Sequence, residues 1–126
     1  MFIDYNKYNL PIVSVDINDR SNIILFKTGL YIYKFMAYGD CCSFSEFKTF
    51  EDVPFSSVVG KIIKGVKELR LDDDFKCDHD DDMGNTCATP HLFQMTFKDS
   101  DETFKFLMVN YSNGYYDGWM TSEIVL

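Results

Sequence analysis

The sequence predicts an α+β domain: a mostly antiparallel sheet of six or seven strands with one or two short helices. Three observations predict it. Apolar residues alternate with polar ones in short runs separated by turn clusters, the pattern of half-buried strands joined in a meander. Between two such runs, Ser43-Phe44-Ser45-Glu46 has the Ser-x-x-Glu spacing of a helix capping box, with Phe44, Phe47 and Phe50 on one helical face. The 126 residues suit a single domain, 1–126, able to bury roughly two-thirds of its unfolded surface.

Residues 1–9 are polar and aromatic without a clear period, an arm that is ordered only if it docks. Val13, Val15 and Ile17 share one face of a first strand, and Asn18-Asp19-Arg20-Ser21 turns the chain into a second over 22–27. After Thr28-Gly29 a third strand over 30–37 sets Tyr31, Tyr33 and Phe35 on one face. The capping box then opens a helix over 44–50, which Pro54 ends by lacking a donor and disfavouring helical geometry at Val53. Pro54 itself opens another short helical turn before Gly60. Residues 58–70 fit either an amphipathic helix or a strand. Gly60, Gly65 and the β-branched residues favour a strand over 61–71. An acidic loop follows at about 72–90, too densely charged to be buried. Strands over 92–98, 103–110 and 119–125 complete the chain, with a tight hairpin at Asp99-Ser100-Asp101 and a turn at Ser112-Asn113-Gly114.

Composition narrows the function. Twenty acidic against 12 basic residues give a net charge of -8, which repels nucleic-acid phosphates and anionic membrane surfaces. No apolar run approaches the roughly 20 residues of a spanning helix, and the first residues lack the basic-then-apolar order of a secretory signal. The expected location is host cytoplasm or virion, with the four cysteines as free thiols or metal ligands. Adjacent Cys41 and Cys42 point to opposite faces of an extended chain and are poorly placed to bond each other.

The spacing with the most chemical content is Cys77-x-His79 followed by Cys87-x-x-x-His91, two thiolates and two imidazoles suited to a tetrahedral zinc ion. Against it, the first pair is separated by a single residue, and an acidic loop that merely holds both histidines is the preferred reading. Asp78-x-Asp80-x-Asp82 resembles half of a calcium loop, but Gly84 comes one residue late and Thr89 stands where a bidentate Glu should close it. Cys41-Cys42 at a helix start could be a reactive thiol, although no base lies near it in the sequence. Tyr111, Tyr115, Tyr116 and Trp119, around Asn113-Gly114, form the densest aromatic cluster outside simple alternation, with the composition of a binding surface.

Ala37-Tyr38-Gly39-Asp40-Cys41-Cys42-Ser43, Val59-Gly60-Lys61-Ile62 and Tyr111-Ser112-Asn113-Gly114-Tyr115-Tyr116-Asp117-Gly118-Trp119 together resemble a family of small uncharacterised domains of bacteriophages and large DNA viruses. The resemblance spans about residues 30–120, implies a small viral accessory protein and carries no catalytic residues across. The first expectation is therefore a non-catalytic viral protein that binds a protein partner or itself. Second stands a small-molecule binder stacking a nucleotide-like ligand on Tyr115, Tyr116 or Trp119, with Lys61, Lys64, Lys67 or Arg70 facing its phosphates. A zinc-stabilised module or thiol enzyme is third.

Overall fold

The computed structural model describes residues 3–39, 43–70, 87–112 and 118–126, without the side chains of Cys87 and Ser112. Eight strands run through them: β1 (Ser14–Ile17), β2 (Ile23–Lys27), β3 (Ile32–Gly39), β4 (Phe44–Thr49), β5 (Ile63–Leu69), β6 (Cys87–Phe97), β7 (Thr103–Ser112) and β8 (Gly118–Val125). They form two four-stranded sheets, ordered β1-β2-β3-β8 and β4-β7-β6-β5. All six strand pairings are antiparallel. The fold is thus an all-β sandwich and not the expected α+β arrangement. Among the described residues, the helical structure is confined to two 3₁₀ turns, Tyr5–Lys7 and Phe55–Val58, the second opening after Pro54 as its fixed φ allows.

The correction falls on residues 44–50. The expected helix is strand β4, with Ser45 and Phe47 turned inward and Phe44, Glu46 and Lys48 outward. Capping is a local preference worth about 1 kcal/mol. It loses to six residues of pairing with β7, Phe44↔Tyr111 to Thr49↔Phe106, and to the burial of the Phe47 ring. Glu46 accepts from the Tyr111 hydroxyl at 2.9 Å, and Ser45 Oγ donates to the Tyr38 carbonyl. Phe50 and Val53 then bridge around Glu51 and Asp52, both left-handed at φ 54° and 59°, a tight reversal that sequence chemistry alone would assign to Asn-Gly.

The segment that fitted either periodicity is strand β5, and its register slips by a bulge between Ile63 and Gly65. That bulge accounts for the helix-like spacing, because one extra residue breaks strict alternation. At the other side of the expected acidic loop, β6 already begins at Cys87. Pro90 lies in it beyond the last β5 pair, Leu69↔Leu92, where among the described residues no second ladder calls for an amide.

Both sheets contribute to one core. Tyr33, Phe26 and Phe35 from the first sheet meet Phe106, Met95 and Met108 from the second, all fully buried. Phe35 stacks on Phe106 across the sandwich with ring centres 6.4 Å apart. The N-terminal arm docks: Tyr5 stacks on Tyr33 at 5.8 Å, Tyr8 meets Tyr31 edge-on at 4.9 Å, and the Tyr31 hydroxyl accepts from the Leu10 amide. The Lys98 ammonium ties the arm down, donating to the carbonyls of Tyr5 (2.9 Å) and Tyr8 (3.3 Å) and to the Asn9 side chain.

Candidate functional site

The strand ends at Gly39 and Gly118, from two of the sequence motifs quoted above, come together. The chain leaves the first sheet after β3 and returns to it at β8, and the described ends of β3, β4, β7 and β8 meet at one corner. Tyr38 pairs with Trp119 and Gly39 with Gly118 in one sheet, while Phe44 pairs with Tyr111 and Ser45 with Asn110 in the other.

Asn110 organises the corner. It continues the inward series Phe104, Phe106, Met108 and is itself fully buried. Its amide nitrogen lies 3.0 Å from Ser45 Oγ, 3.3 Å from Ser43 Oγ and 3.3 Å from the Phe44 carbonyl. Ser45 Oγ in turn donates to the Tyr38 carbonyl at 2.8 Å, so one buried network joins β3, β4 and β7. The strands approach so closely that a Cβ on Gly118 would sit 2.2 Å from Ser45 Oγ, 2.6 Å from the Tyr38 carbonyl and 2.9 Å from the Asn110 amide nitrogen. Glycine is required there for space, since its backbone is not left-handed.

Aromatic rings stand outside this polar centre. Tyr38 and Trp119 stack at 5.8 Å on the outer face of the first sheet, 39% and 47% exposed. Phe44 and Tyr111 stack at 4.9 Å on the outer face of the second, with Phe44 60% exposed. The Lys48 ammonium lies 5.6 Å from the centre of the Tyr111 ring and 3.4 Å from Glu46. The Tyr111 phenol, ahead of Glu46, pushes the Lys48 ammonium above its ordinary value, while partial burial pulls the other way.

Of the four rings singled out by sequence, Tyr111 and Trp119 flank this corner on the two sheets, and Tyr115 and Tyr116 lie outside the described residues. Tyr38 and Phe44, the ring partners, were not singled out. The signal that would have found Tyr38 is Gly39 beside it, as Gly118 lies beside Trp119, whereas Phe44 carries no such mark. Of the zinc candidates, Cys77 and His79 lie outside the described residues, as do Cys41 and Cys42 and the calcium-like Asp78, Asp80 and Asp82. Cys87 and His91 both belong to β6, four residues or roughly 13 Å apart along an extended strand. Ligands of one tetrahedral zinc sit only about 3–4 Å from each other. His91 Nδ1 lies 3.6 Å from Glu68 Oε1. Among the described residues no group of three or more His, Cys, Asp or Glu could hold a metal ion, and no helix is long and apolar enough to cross a membrane. The cations considered for phosphates lie elsewhere: Lys61 pairs with Glu102, and Lys67 borders a cavity of about 300 Å³ with Met120 and Thr121.

No protein-family model and no solved structure matches the chain. An uncharacterised protein of Acanthamoeba polyphaga mimivirus is 38% identical to it over 113 residues, spanning 86% of this chain and 83% of that protein. The chain therefore belongs to the family of that mimivirus protein, a family of uncharacterised proteins of large DNA viruses.

Proposed function

We propose that the protein is a viral accessory factor that works by binding a protein partner, and not by catalysis, in the host cytoplasm or virion. The observation that carries this reading is the pair of stacked ring sets, Tyr38–Trp119 and Phe44–Tyr111, exposed on either side of a corner fixed by the Asn110 network. Rings already stacked and held by a rigid frame lose little freedom on binding, and aromatic side chains dominate the energetics of protein interfaces. The partner is basic: a net charge of -8 steers cationic surfaces toward the chain, and Glu46 beside Tyr111 offers a carboxylate at the rim.

The test compares the wild-type protein with a Phe44→Ala/Tyr111→Ala double variant, each immobilised and exposed to lysate of virus-infected host cells. A basic protein retained by the wild type and lost by a variant of unchanged melting temperature supports the reading. Equal retention by both, or no specific retention by either, removes it.

A further inference from the structure

Among the described residues four strands have an edge that no other strand pairs with, and three of them are guarded. Strand β1 has only four residues, and the chain just before it is engaged through the Ile12 amide and the Lys61 carbonyl. Strand β4 carries Glu46 and Lys48, and its Phe47 amide donates to the Ser21 carbonyl. Strand β5 carries Lys64, Lys67 and Glu68 and is bent by its bulge. Short length, charge and bulges are the devices by which folded proteins stop edges from pairing with other chains. Strand β8 is neither short nor bulged. It runs for eight residues, Gly-Trp-Met-Thr-Ser-Glu-Ile-Val, in unbroken register with β3, with one charge and no proline. Among the described residues no strand pairs with its other side.

The sequence of β8 is also complementary to itself. Antiparallel partners must place residues of the same face opposite each other, so allowed registers differ by two. With the two-fold axis at Ser122, Trp119 faces Val125 of the partner subunit on the outer face, and Met120 faces Ile124 of the partner subunit on the inner one. Trp119 and Val125 are the exposed large apolar side chains of the strand, at 47% and 37%. Thr121, whose hydroxyl is buried without a hydrogen-bond partner, comes alongside Glu123 of the partner subunit. An axis at Glu123 would instead set two carboxylates against each other, and an axis at Thr121 would set Trp119 against a carboxylate. The inner-face pairs also cap two cavities of about 300 and 340 Å³ that border β8 and share Ile3 and Ser122.

We propose that β8 pairs antiparallel with β8 of a second copy of this chain about an axis at Ser122, joining two four-stranded sheets into a continuous one. This pairing goes beyond the partner-binding reading and leaves the Phe44–Tyr111 rings, on the other sheet, open to a partner. Two copies each carrying -8 repel at long range, and salt screens charges over about 8 Å at physiological ionic strength, so association tightens as salt is added.

Sedimentation equilibrium of the full chain tests the pairing. The expected result is a monomer–dimer equilibrium that salt shifts toward dimer. Thr121→Glu, which sets a carboxylate beside Glu123 of the partner subunit, raises the dissociation constant about tenfold or more, whereas Thr121→Lys leaves it unchanged or lowers it. A protein that stays monomeric at every concentration and salt, or equal weakening by both substitutions, overturns the proposal. Hydrogen exchange of the wild type gives a reading independent of the variants. Amides of 119–125 gain protection with concentration while those of β1 do not, and concentration-independent exchange along β8 overturns the pairing. Neither result bears on capture of a partner by the Phe44–Tyr111 rings, so the two proposals fail separately.

Discussion

The sandwich is sealed at two places by opposite means. At the corner where β3, β4, β7 and β8 meet, side chains are removed: Gly39 and Gly118 let backbones touch, and Asn110 spends its amide on three acceptors. At the N-terminal arm, side chains are added: Tyr5 and Tyr8 lie on Tyr31 and Tyr33, and one lysine, Lys98, holds the backbone down. The corner has little slack, because the Asn110 amide nitrogen and Ser45 Oγ are each held by groups from other strands, although the buried Asn110 Oδ1 has no hydrogen-bond partner among the described residues. The arm rests on a flexible lysine and on rings that can slide. A seal made by close backbone approach should therefore fail as a unit with the whole fold, and a seal made by docking should fail locally.

The sharpest way to break the comparison is Gly118→Ala. The added methyl would overlap the Tyr38 carbonyl, which cannot swing aside as a side chain could, as well as Ser45 and Asn110. We expect a loss of about 3 kcal/mol or more in urea unfolding, at the upper end of overpacking costs. Gly29→Ala is the control, since nothing lies within 4 Å of its Cβ position, and it should change stability by less than about 1 kcal/mol. If the two substitutions behave alike, the corner is not the rigid element described above.

Lys98→Met comes next in size. The substitution keeps the apolar stem and removes the donors that the carbonyls of Tyr5 and Tyr8 and the Asn9 side chain accept. Hydrogen bonds from a charged donor are worth about 1.5–3 kcal/mol each at best, and a partly solvated lysine returns much less, so a global loss of about 1 kcal/mol is expected. The local effect is larger: trypsin should cut after Lys7 much faster in the variant while cleavage elsewhere barely changes. Unaltered cleavage after Lys7 would mean that the tyrosines alone hold the arm.

The same contrast explains what could be read from the sequence. Strands β2, β3, β7 and β8 were legible because one face of each meets the core, so alternation survives in residues such as Tyr31, Tyr33 and Phe35, whereas the face expected to be buried in β1 is largely open, with Val13 and Ile17 57% and 40% exposed. Strand β4 was not, because Ser43-x-x-Glu46 satisfies a helix rule locally, and the pairing that overrides it comes from residues 106–111, distant in sequence. Periodicity cannot register a competitor that folding brings from elsewhere. For the candidate site, Tyr111 and Trp119 stood out by composition, yet their ring partners Tyr38 and Phe44 are set by registers between distant strands, Tyr38↔Trp119 and Phe44↔Tyr111. Asn110 left a signal that went unread: a polar residue at an inward position, where burial without hydrogen bonds would cost several kcal/mol.

The smallest expected effect has the opposite sign and lies under the arm. Tyr33 is fully buried, its ring packed among Tyr5, Tyr8 and Tyr31, and its hydroxyl has no hydrogen-bond partner. Burial, reinforced by the neighbouring tyrosines, raises the Tyr33 phenol far above its ordinary value, and burial alone does the same for Tyr5. A phenol held neutral in the folded state favours folding fully below the unfolded value near 10. Above that pH the unfolded chain releases protons that the folded chain retains, so stability falls as pH rises. Tyr33→Phe removes the orphan hydroxyl while keeping the ring, and should raise stability at neutral pH by about 1 kcal/mol. It should also make the decline above about pH 10 shallower, with Tyr5 supplying what remains. Urea midpoints of both proteins from neutral to alkaline pH measure this. A destabilised variant would show that the hydroxyl has a partner after all, and the tyrosine cluster would then resemble the corner, a polar network, more than a docking surface.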